Sequence, residues 1–325
     1  MVLRDNSGRQ EIDVNKWLSN ILALIIFAFL LWYLAGHWEQ LKVMLKLRPE
    51  QLGAMYFLYF LSFLVSALVD KYLLNALNTE AGFWNIFWLN NSASLLNYVP
   101  MKFGTLFRAN YLKRHYGLAY TRFATFFFYV IFLMTALAAA VGLAVLMAIY
   151  GLARYENRIL TGVFISTIAV SLLFLFVPLP IPRAAGPFSS MLRNFLSGRT
   201  QIAKETKTNI VAAVLVSVNF LVTALRIGII YHSIGKSIHP AGYLILGSLG
   251  FVVLFIGLTP GALGIRELVL GFGAVVLEVP LEVGLLAAMI DRAISISYAF
   301  VVGGCCTVWL WRKSPSDFKE QQNNL

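Results

Sequence analysis

Long apolar runs follow one another along this sequence, and they limit the fold more than any other feature. They cover approximately residues 17–36, 52–74, 83–99, 121–150, 158–179, 209–233, 240–258, 266–279 and 282–311. Several reach roughly 20 residues, the length of a helix that crosses about 30 Å of hydrocarbon. With 59% hydrophobic and only 13% charged residues, the composition also differs from that of soluble domains. The sequence therefore predicts an all-α, polytopic integral membrane protein with about eight hydrophobic segments.

The first run, 17–36, decides how the N-terminal region is interpreted. It is longer than the core of a signal peptide, and no small-residue cleavage site follows it. We expect a retained span, with a processed signal as the alternative. The expected organisation is a cytoplasmic tail at 1–16, a single transmembrane domain at 17–311 with halves at approximately 17–150 and 158–311, and a cytoplasmic tail at 312–325.

The net charge of +11 would suggest nucleic acid in a soluble protein. Here most of the basic residues lie in short loops between apolar runs, where they set the orientation of a membrane protein. We therefore expect no nucleic-acid partner. Cys305 and Cys306 are adjacent and cannot easily bridge each other, and the four histidines lack the spacing of metal ligands. No metal and no cofactor are expected.

Two hydrophobic segments are interrupted in a similar way. One spans 83–114 around NYVPMKFGTLFRANYLKR, and the other spans 240–279 around LTPGALGIREL. Each contains a proline, a glycine and an arginine in that order: Pro100, Gly104 and Arg108 in the first, and Pro260, Gly264 and Arg266 in the second. Broken segments at corresponding positions of two halves are the best sequence indication of a transport site.

The spacing of these features predicts an internal repeat. The two prolines are 160 residues apart and the two arginines 158, while Asp70 and Arg226, each late in its run, are 156 apart. The excess of basic residues predicts that 71–82, 100–122, 180–208 and the C-terminal tail face the cytoplasm, and that 37–51, 151–158 and 234–240 face outward. On this topology the halves are inverted, and two re-entrant hairpins enter the membrane from opposite faces.

Eight charged residues fall at membrane depth or at the breaks: Asp70, Lys102, Arg108, Arg226, Arg266, Glu267, Asp291 and Arg292. A charge at the centre of a membrane helix costs about 2.5–3.5 kcal/mol, so each needs a partner or a wet cavity. Sequence neighbours on a helix do not face each other. We therefore expect Arg266 to pair with Asp291, or Glu267 with Arg292. Static ion pairs that lock the helices together are the alternative to a functional role.

The cations outnumber the carboxylates, which favours an anionic ligand, since arginine binds phosphate through a planar fork. Lys102, Arg108, Arg226, Arg266 and Arg292 are the candidate lipid- or anion-binding residues, with Asp70, Glu267 and Asp291 as gating or charge-pairing residues. A half-helix starting after Thr259 and Pro260 would direct free backbone N–H groups at an anion. The residues expected to shape the backbone of the half-helices at the breaks are Thr259, Pro260, Gly261 and Gly264 in the second break, and Pro100 and Gly104 in the first. A simple helix break is the alternative.

The stretches NYVPMKFGTLFRANYLKRHYG and GLTPGALGIRELVLG resemble the two signature regions of the lysylphosphatidylglycerol synthase transmembrane family. The first maps onto Pro100, Gly104, Arg108, Lys113 and Arg114, and the second onto Thr259 to Glu267, with Ala262 in place of a glycine. Arg292 matches a downstream arginine. The resemblance implies a stand-alone flippase-like module with two re-entrant regions in an inverted repeat. The span around FFFYVIFLMTALAAA departs from the family, because it lacks the acidic and basic pair that members often carry there.

The expected function is translocation, between leaflets, of an anionic or modified (glyco)phospholipid or a polyprenyl-phosphate-linked lipid. The alternatives are a secondary transporter of a small anion, and a membrane transferase or accessory protein in cell-envelope glycolipid assembly. We expect no enzyme activity, because no globular stretch that could be a synthase domain follows Arg312. The expected partners are anionic membrane lipids and envelope-biosynthesis enzymes, and the expected location is the prokaryotic inner membrane. The basic amphipathic stretch 188–204 predicts an interfacial helix.

Overall fold

A computed structural model describes residues 36, 47–99, 103–151, 155–177, 186–256 and 264–312 of this chain. From residue 47 onward these belong to one compact unit, residues 40–325. Between residues 49 and 312 the described part forms ten helices, and it contains no strand. They are α1 Pro49–Ala76, α2 Phe83–Leu96, α3 Phe103–Tyr116, α4 Tyr120–Tyr150, α5 Tyr155–Phe176, α6 Pro187–Lys204, α7 Thr206–Ser233, α8 Pro240–Ile256, α9 Ile265–Val276 and α10 Leu281–Arg312. The prediction of an all-α protein is confirmed.

Five of these helices, α1, α4, α5, α7 and α10, are long and apolar enough to cross a membrane. Each coincides within a few residues with one of the apolar runs, because a run of that length can satisfy its backbone hydrogen bonds in hydrocarbon only as a helix. The C-terminal end of α4 and the middle of α10 contain π-helical turns, at Leu146–Tyr150 and Ala299–Gly303 respectively. The first apolar run, 17–36, lies outside the described residues apart from Gly36.

Each of the two interrupted segments forms a pair of short helices. The first pair is α2 and α3, and the second is α8 and α9. The residues at the breaks that carry the predicted backbone roles, Pro100, Thr259, Pro260 and Gly261, lie outside the described residues, as does Lys102. Whether the pairs are re-entrant, and whether the halves form an inverted repeat, stay predictions.

The two glycines of these breaks that the structure describes have different roles. Gly264 adopts a φ of 79° directly before α9, a left-handed conformation that favours glycine. Gly104 lies in the first turn of α3, where a Cβ atom would overlap the carbonyl oxygen of Ala93 in α2. Gly104 therefore permits the close packing of α3 on α2, and Gly264 permits the turn into α9.

Several helices pack against one another in pairs. Helix α1 packs along α7, α8 packs along α4, and α2 packs against the second part of α10. Helices α1 and α7 are antiparallel, because Tyr59 contacts Arg226 whereas Ser66, further along α1, contacts Asn219, which comes earlier on α7. The loops 77–82 and 234–239, which follow these two helices, therefore leave the bundle at opposite ends.

Candidate functional site

The largest group of buried charges in the described part of the chain lies where α7, α9 and α10 meet. Helix α7 contributes Arg226, the first turn of α9 contributes Arg266 and Glu267, and α10 contributes Asp291 and Arg292. Helices α9 and α10 form a tightly packed hairpin through the loop 277–280. The glycines make this packing possible, since a Cβ at Gly284 of α10 would lie only 2.5 Å from the Cβ of Ala274.

Two ion pairs join α9 to α10 side by side. Arg266 donates to Asp291 with 2.5 Å between Nη2 and Oδ2, and Arg292 donates to Glu267 with 2.7 Å between Nη1 and Oε1. The sequence suggested these pairings as alternatives, and the structure contains both. Each pair spans 25 residues of sequence, so the adjacent charges on one helix meet the adjacent charges on the other. The two helices are thus joined by a two-rung ionic contact, which we call the α9–α10 ion-pair ladder.

Arg226 and Arg266 share one carboxylate. The Nε of Arg226 lies 2.8 Å from Oδ1 of Asp291, while Arg266 occupies Oδ2. Around this carboxylate and Glu267, three guanidinium groups face two carboxylates, which leaves a surplus of one positive charge among these described residues. Burial is uneven, because the side chain of Asp291 is 4% exposed whereas that of Arg266 is 25% exposed. Arg266 is therefore the member of the group that a ligand reaches most easily.

Tyr59 of α1 completes this group, and sequence reasoning missed it. Its hydroxyl donates to Oδ1 of Asp291 at 3.0 Å, and the guanidinium carbon of Arg226 lies 3.9 Å from the centre of its ring. The ring also stacks on Tyr298. A tyrosine in an apolar membrane helix gives no distinct signal, although Tyr59 starts a row of polar residues on one face of α1.

That row continues through Ser62, Ser66 and Asp70, at spacings that place all four side chains on one side of α1. The carboxamide of Asn219 in α7 lies between the two serines, accepting a hydrogen bond from Ser62 and donating one to Ser66 at 3.1 Å. We call these three residues the α1–α7 polar contact. Polar residues recur with a helical period in both apolar runs, and this sequence signal could have predicted the contact.

A second buried cluster lies where α1, α2 and α3 meet. The Oδ2 atom of Asp70 accepts from Nη2 of Arg108 at 2.8 Å and from Nδ2 of Asn90 at 2.7 Å. The sequence selected Asp70 and Arg108 but not their pairing, and it missed Asn90. The signal was the polar sequence Asn90, Asn91, Ser92 inside an apolar run, all three of which are buried. The structure thus separates the candidate residues into two clusters, one on Asp70 and one on Asp291.

No group of three or more histidine, cysteine or acidic side chains suited to a metal ion occurs in the described part of the chain. Cys305 is exposed and Cys306 is buried, and both are free thiols. The chemistry of both clusters is therefore that of guanidinium groups, carboxylates and hydrogen-bonding side chains. Such groups can bind and release a charged ligand by exchanging one ionic partner for another.

Comparison with known protein families identifies the family of this chain. A family model described as the lysylphosphatidylglycerol synthase TM region matches residues 20–303, which is nearly the whole chain. The chain belongs to this family. The match is to the TM region of the synthase, and it leaves only residues 1–19 and 304–325 of the sequence outside it. No curated protein and no solved structure matches the chain.

Family membership and the five long apolar helices agree that this is a multi-pass membrane protein. The matched range contains both charge clusters, from Asp70 to Arg292. Both charge clusters therefore lie within the part of the chain that matches the lysylphosphatidylglycerol synthase TM region.

Proposed function

We propose that this member of the family translocates an anionic or modified lipid between membrane leaflets. A phospholipid, a glycophospholipid and a polyprenyl-phosphate-linked lipid all present the phosphate that the site suits. The observation that carries the proposal is the shared carboxylate of Asp291, which leaves one guanidinium charge without a full counter-charge among the described residues. An anionic headgroup would supply that charge, and arginine binds phosphate in a planar, bidentate geometry.

Binding would proceed by exchange of ion pairs. Arg266 has the most exposed side chain of the group and is held by a single oxygen of Asp291. A phosphate that takes over Arg266 leaves Asp291 paired with Arg226, so no carboxylate is stranded in an apolar environment. Glu267 holds Arg292 in the same way on the next rung of the ladder. Each step replaces a partner instead of removing one, which avoids the large cost of an unpaired buried charge.

The two clusters would serve as successive positions of the headgroup. Tyr59, at the Asp291 cluster, and Asp70 are 11 residues apart on α1, which corresponds to about 16 Å along a helix. We assign Arg108, with Lys102, to the cytoplasmic side and Arg226 and Arg266 to the outer side. The acyl chains stay in the bilayer during passage. The chain itself performs no synthesis in this proposal.

An inverted repeat would account for the two positions. Helices α1 and α7 are each 28 residues long, and α4 and α10 have 31 and 32 residues. The short helices also correspond, with 14 and 17 residues in α2 and α8, and 14 and 12 in α3 and α9. The antiparallel packing of α1 on α7 supports this inversion. We place the protein in a prokaryotic inner membrane with both termini in the cytoplasm.

The test is leaflet exchange of headgroup-labelled anionic lipids in liposomes that contain the purified protein. Wild type is compared with Arg266→Ala and Arg108→Ala, and Arg312→Ala is the matched control, because Arg312 is exposed at the end of α10. We expect fast exchange in wild type and in Arg312→Ala, and loss of exchange in the protein of the other two variants that is still folded after purification by size-exclusion chromatography.

Absence of exchange in wild type across a broad lipid panel would overturn the proposal. The second candidate function, transport of a small anion, is favoured by the same surplus of positive charge at Asp291. It predicts uptake of soluble anions into the same liposomes without lipid exchange. A single liposome preparation therefore distinguishes lipid exchange from anion transport.

A further inference from the structure

The two clusters differ in their balance of charge. At Asp291, two guanidinium groups share one carboxylate. At Asp70, the single guanidinium of Arg108 faces a single carboxylate, with 2.8 Å between Nη2 and Oδ2. The other contact of Asp70 is the carboxamide of Asn90, which carries no charge. Among the described residues, the Asp291 cluster therefore has a surplus of one positive charge, and the Asp70 cluster has none.

This difference decides what happens when a lipid phosphate binds. At Asp291 the phosphate offsets the surplus positive charge, and the carboxylate keeps Arg226 as a partner. At Asp70 the phosphate would compete with the carboxylate for Arg108, so that two anions would share one cation. An unpaired charge away from water is costly, and a buried group avoids this cost by becoming neutral. The Asp70 cluster therefore needs one more positive charge before it can hold an anionic headgroup.

A proton on Asp70 would supply that charge, and one oxygen of its carboxylate is free of hydrogen bonds. Both hydrogen bonds that Asp70 receives, from Arg108 and from Asn90, end on Oδ2, so Oδ1 accepts none among the described residues. The carboxylate of Asp291 differs, since both of its oxygens accept hydrogen bonds from arginine. The side chain of Asp70 is 6% exposed and that of Arg108 is 18% exposed, so the pair is partly accessible.

No second titratable group takes part in this cluster within the described part of the chain. Helix α1 contacts α2, α4, α6, α7 and α10, and among all of these and α3 the only charged or titratable side chain that interacts with Asp70 is Arg108. Asn90 of α2 is a neutral donor, and the guanidinium carbon of Arg108 lies 5.7 Å from the centre of the Phe126 ring in α4. Because arginine stays protonated, Asp70 is the group that can take up a proton here.

We propose that Asp70 is a proton-binding site, and that an anionic headgroup binds at its cluster together with one proton. The proton binds Oδ1 of Asp70 as the phosphate takes over Arg108, and it returns to water when the phosphate leaves and the ion pair forms again. Headgroup binding at Asp291 takes up no proton. This inference rests on the proposed function and adds a proton to one of its two steps.

The first experiment counts the protons taken up on binding. The probe is glycerophosphoglycerol, whose phosphodiester does not titrate near neutral pH, and calorimetric titration in two buffers with different ionisation enthalpies gives the proton count. We expect Arg266→Ala, which keeps the Asp70 cluster, to take up about one proton per bound probe. Since the complex then holds one proton more than the free protein, its affinity should rise about tenfold for each unit by which the pH falls. Arg108→Ala, which keeps the Asp291 cluster, should take up none.

The second experiment uses the wild-type protein in the liposome assay at about pH 6 and about pH 8, on either side of neutral. We expect faster exchange of labelled phosphatidylglycerol at the lower pH. Any exchange that Asp70→Asn retains should not depend on pH in this way, because an amide cannot take up the proton. Glu80→Gln is the matched control, since it makes the same chemical change at an exposed carboxylate and should keep the pH dependence of wild type.

Equal exchange by wild type at both pH values, or binding at the Asp70 cluster without proton uptake, would overturn the inference and leave the flippase proposal intact. The charge that balances the phosphate would then be assigned to Lys102, which lies outside the described residues. Absence of exchange at both pH values would overturn the flippase proposal, and this inference with it.

Discussion

The guanidinium of Arg226 lies against the ring of Tyr59, and both side chains donate to the same oxygen of Asp291. Tyr59 thus links α1 to a charge cluster whose other members come from α7, α9 and α10. The ring supplies a cation–π contact and the hydroxyl supplies a hydrogen bond to a charged acceptor. The two contributions can be separated, since phenylalanine keeps the first and removes the second.

We predict that Tyr59→Phe lowers the free energy of unfolding by about 1.5–3 kcal/mol, the range for a hydrogen bond to a charged group. Tyr56→Phe is the matched control. Tyr56 lies three residues earlier on α1, and its hydroxyl donates to the neutral Ser297 at 2.7 Å. Its loss should cost about 0.5–1.5 kcal/mol. Denaturant unfolding in detergent measures both, and an equal loss in the two variants would show that the hydroxyl of Tyr59 has no special relation to Asp291.

The shared carboxylate predicts an unequal response to charge removal. Asp291→Asn leaves both Arg226 and Arg266 without a counter-charge at a buried position, and should cost at least about 3–5 kcal/mol of stability. Glu267→Gln should cost less, because Glu267 contacts one guanidinium and its side chain is 15% exposed. In the double variant Arg266→Gln with Asp291→Asn, the loss should be smaller than the sum of the single losses. Additive losses in unfolding experiments would contradict a direct interaction.

Much of the fold could be predicted from the sequence, because hydrophobic run length directly limits where membrane helices occur. The runs 121–150 and 209–233 became α4 and α7 with boundaries shifted by at most three residues. The partners of Arg266 and Arg292 could also be anticipated, because adjacent charges on a helix cannot pair with each other and must find partners on another segment.

The spatial arrangement of the site residues could not be predicted from the sequence. Asn90 and Tyr59 belong to apolar helices, and their importance depends on which charged groups the bundle brings to them. The pairing of Asp70 with Arg108 depends on the packing of α3 against α2 and α1. One-dimensional patterns identify which residues need partners, but the choice among several carboxylates is made by helix packing.

Gly104 offers a test of that packing. A Cβ at this position would overlap the carbonyl oxygen of Ala93 and lie 2.7 Å from Oδ1 of Asn97. Because a backbone carbonyl cannot rotate away, we predict that Gly104→Ala lowers stability by about 1–3 kcal/mol and displaces Arg108 from Asp70. Gly162→Ala is the control, since Gly162 lies in α5 with open space around it and should be neutral or slightly stabilising. Melting curves that are the same for the two variants would argue against tight contact between α2 and α3.

The α1–α7 polar contact predicts that removing one of its members destabilises the protein more than removing all three. Asn219→Leu leaves the hydroxyl groups of Ser62 and Ser66 without this partner, and should cost about 1–3 kcal/mol. Replacing both serines with alanine as well removes the unsatisfied groups, so the triple variant should recover most of the loss. If the triple variant is less stable than Asn219→Leu, then the hydrogen bonds themselves, and not the unpaired groups, account for the stability.

The antiparallel packing of α1 on α7 predicts that the loops 77–82 and 234–239 lie on opposite sides of the membrane. Single cysteines at Glu80 and Lys236, which are both exposed, report on this in a background where Cys305 and Cys306 are replaced by alanine. We expect a membrane-impermeant thiol reagent to label Lys236→Cys in intact cells, and Glu80→Cys only after the membrane is opened. Reversed labelling would keep the inversion and reverse the assigned orientation. Labelling of both positions from one side would rule out the inverted repeat, and with it the assignment of the two clusters to opposite faces.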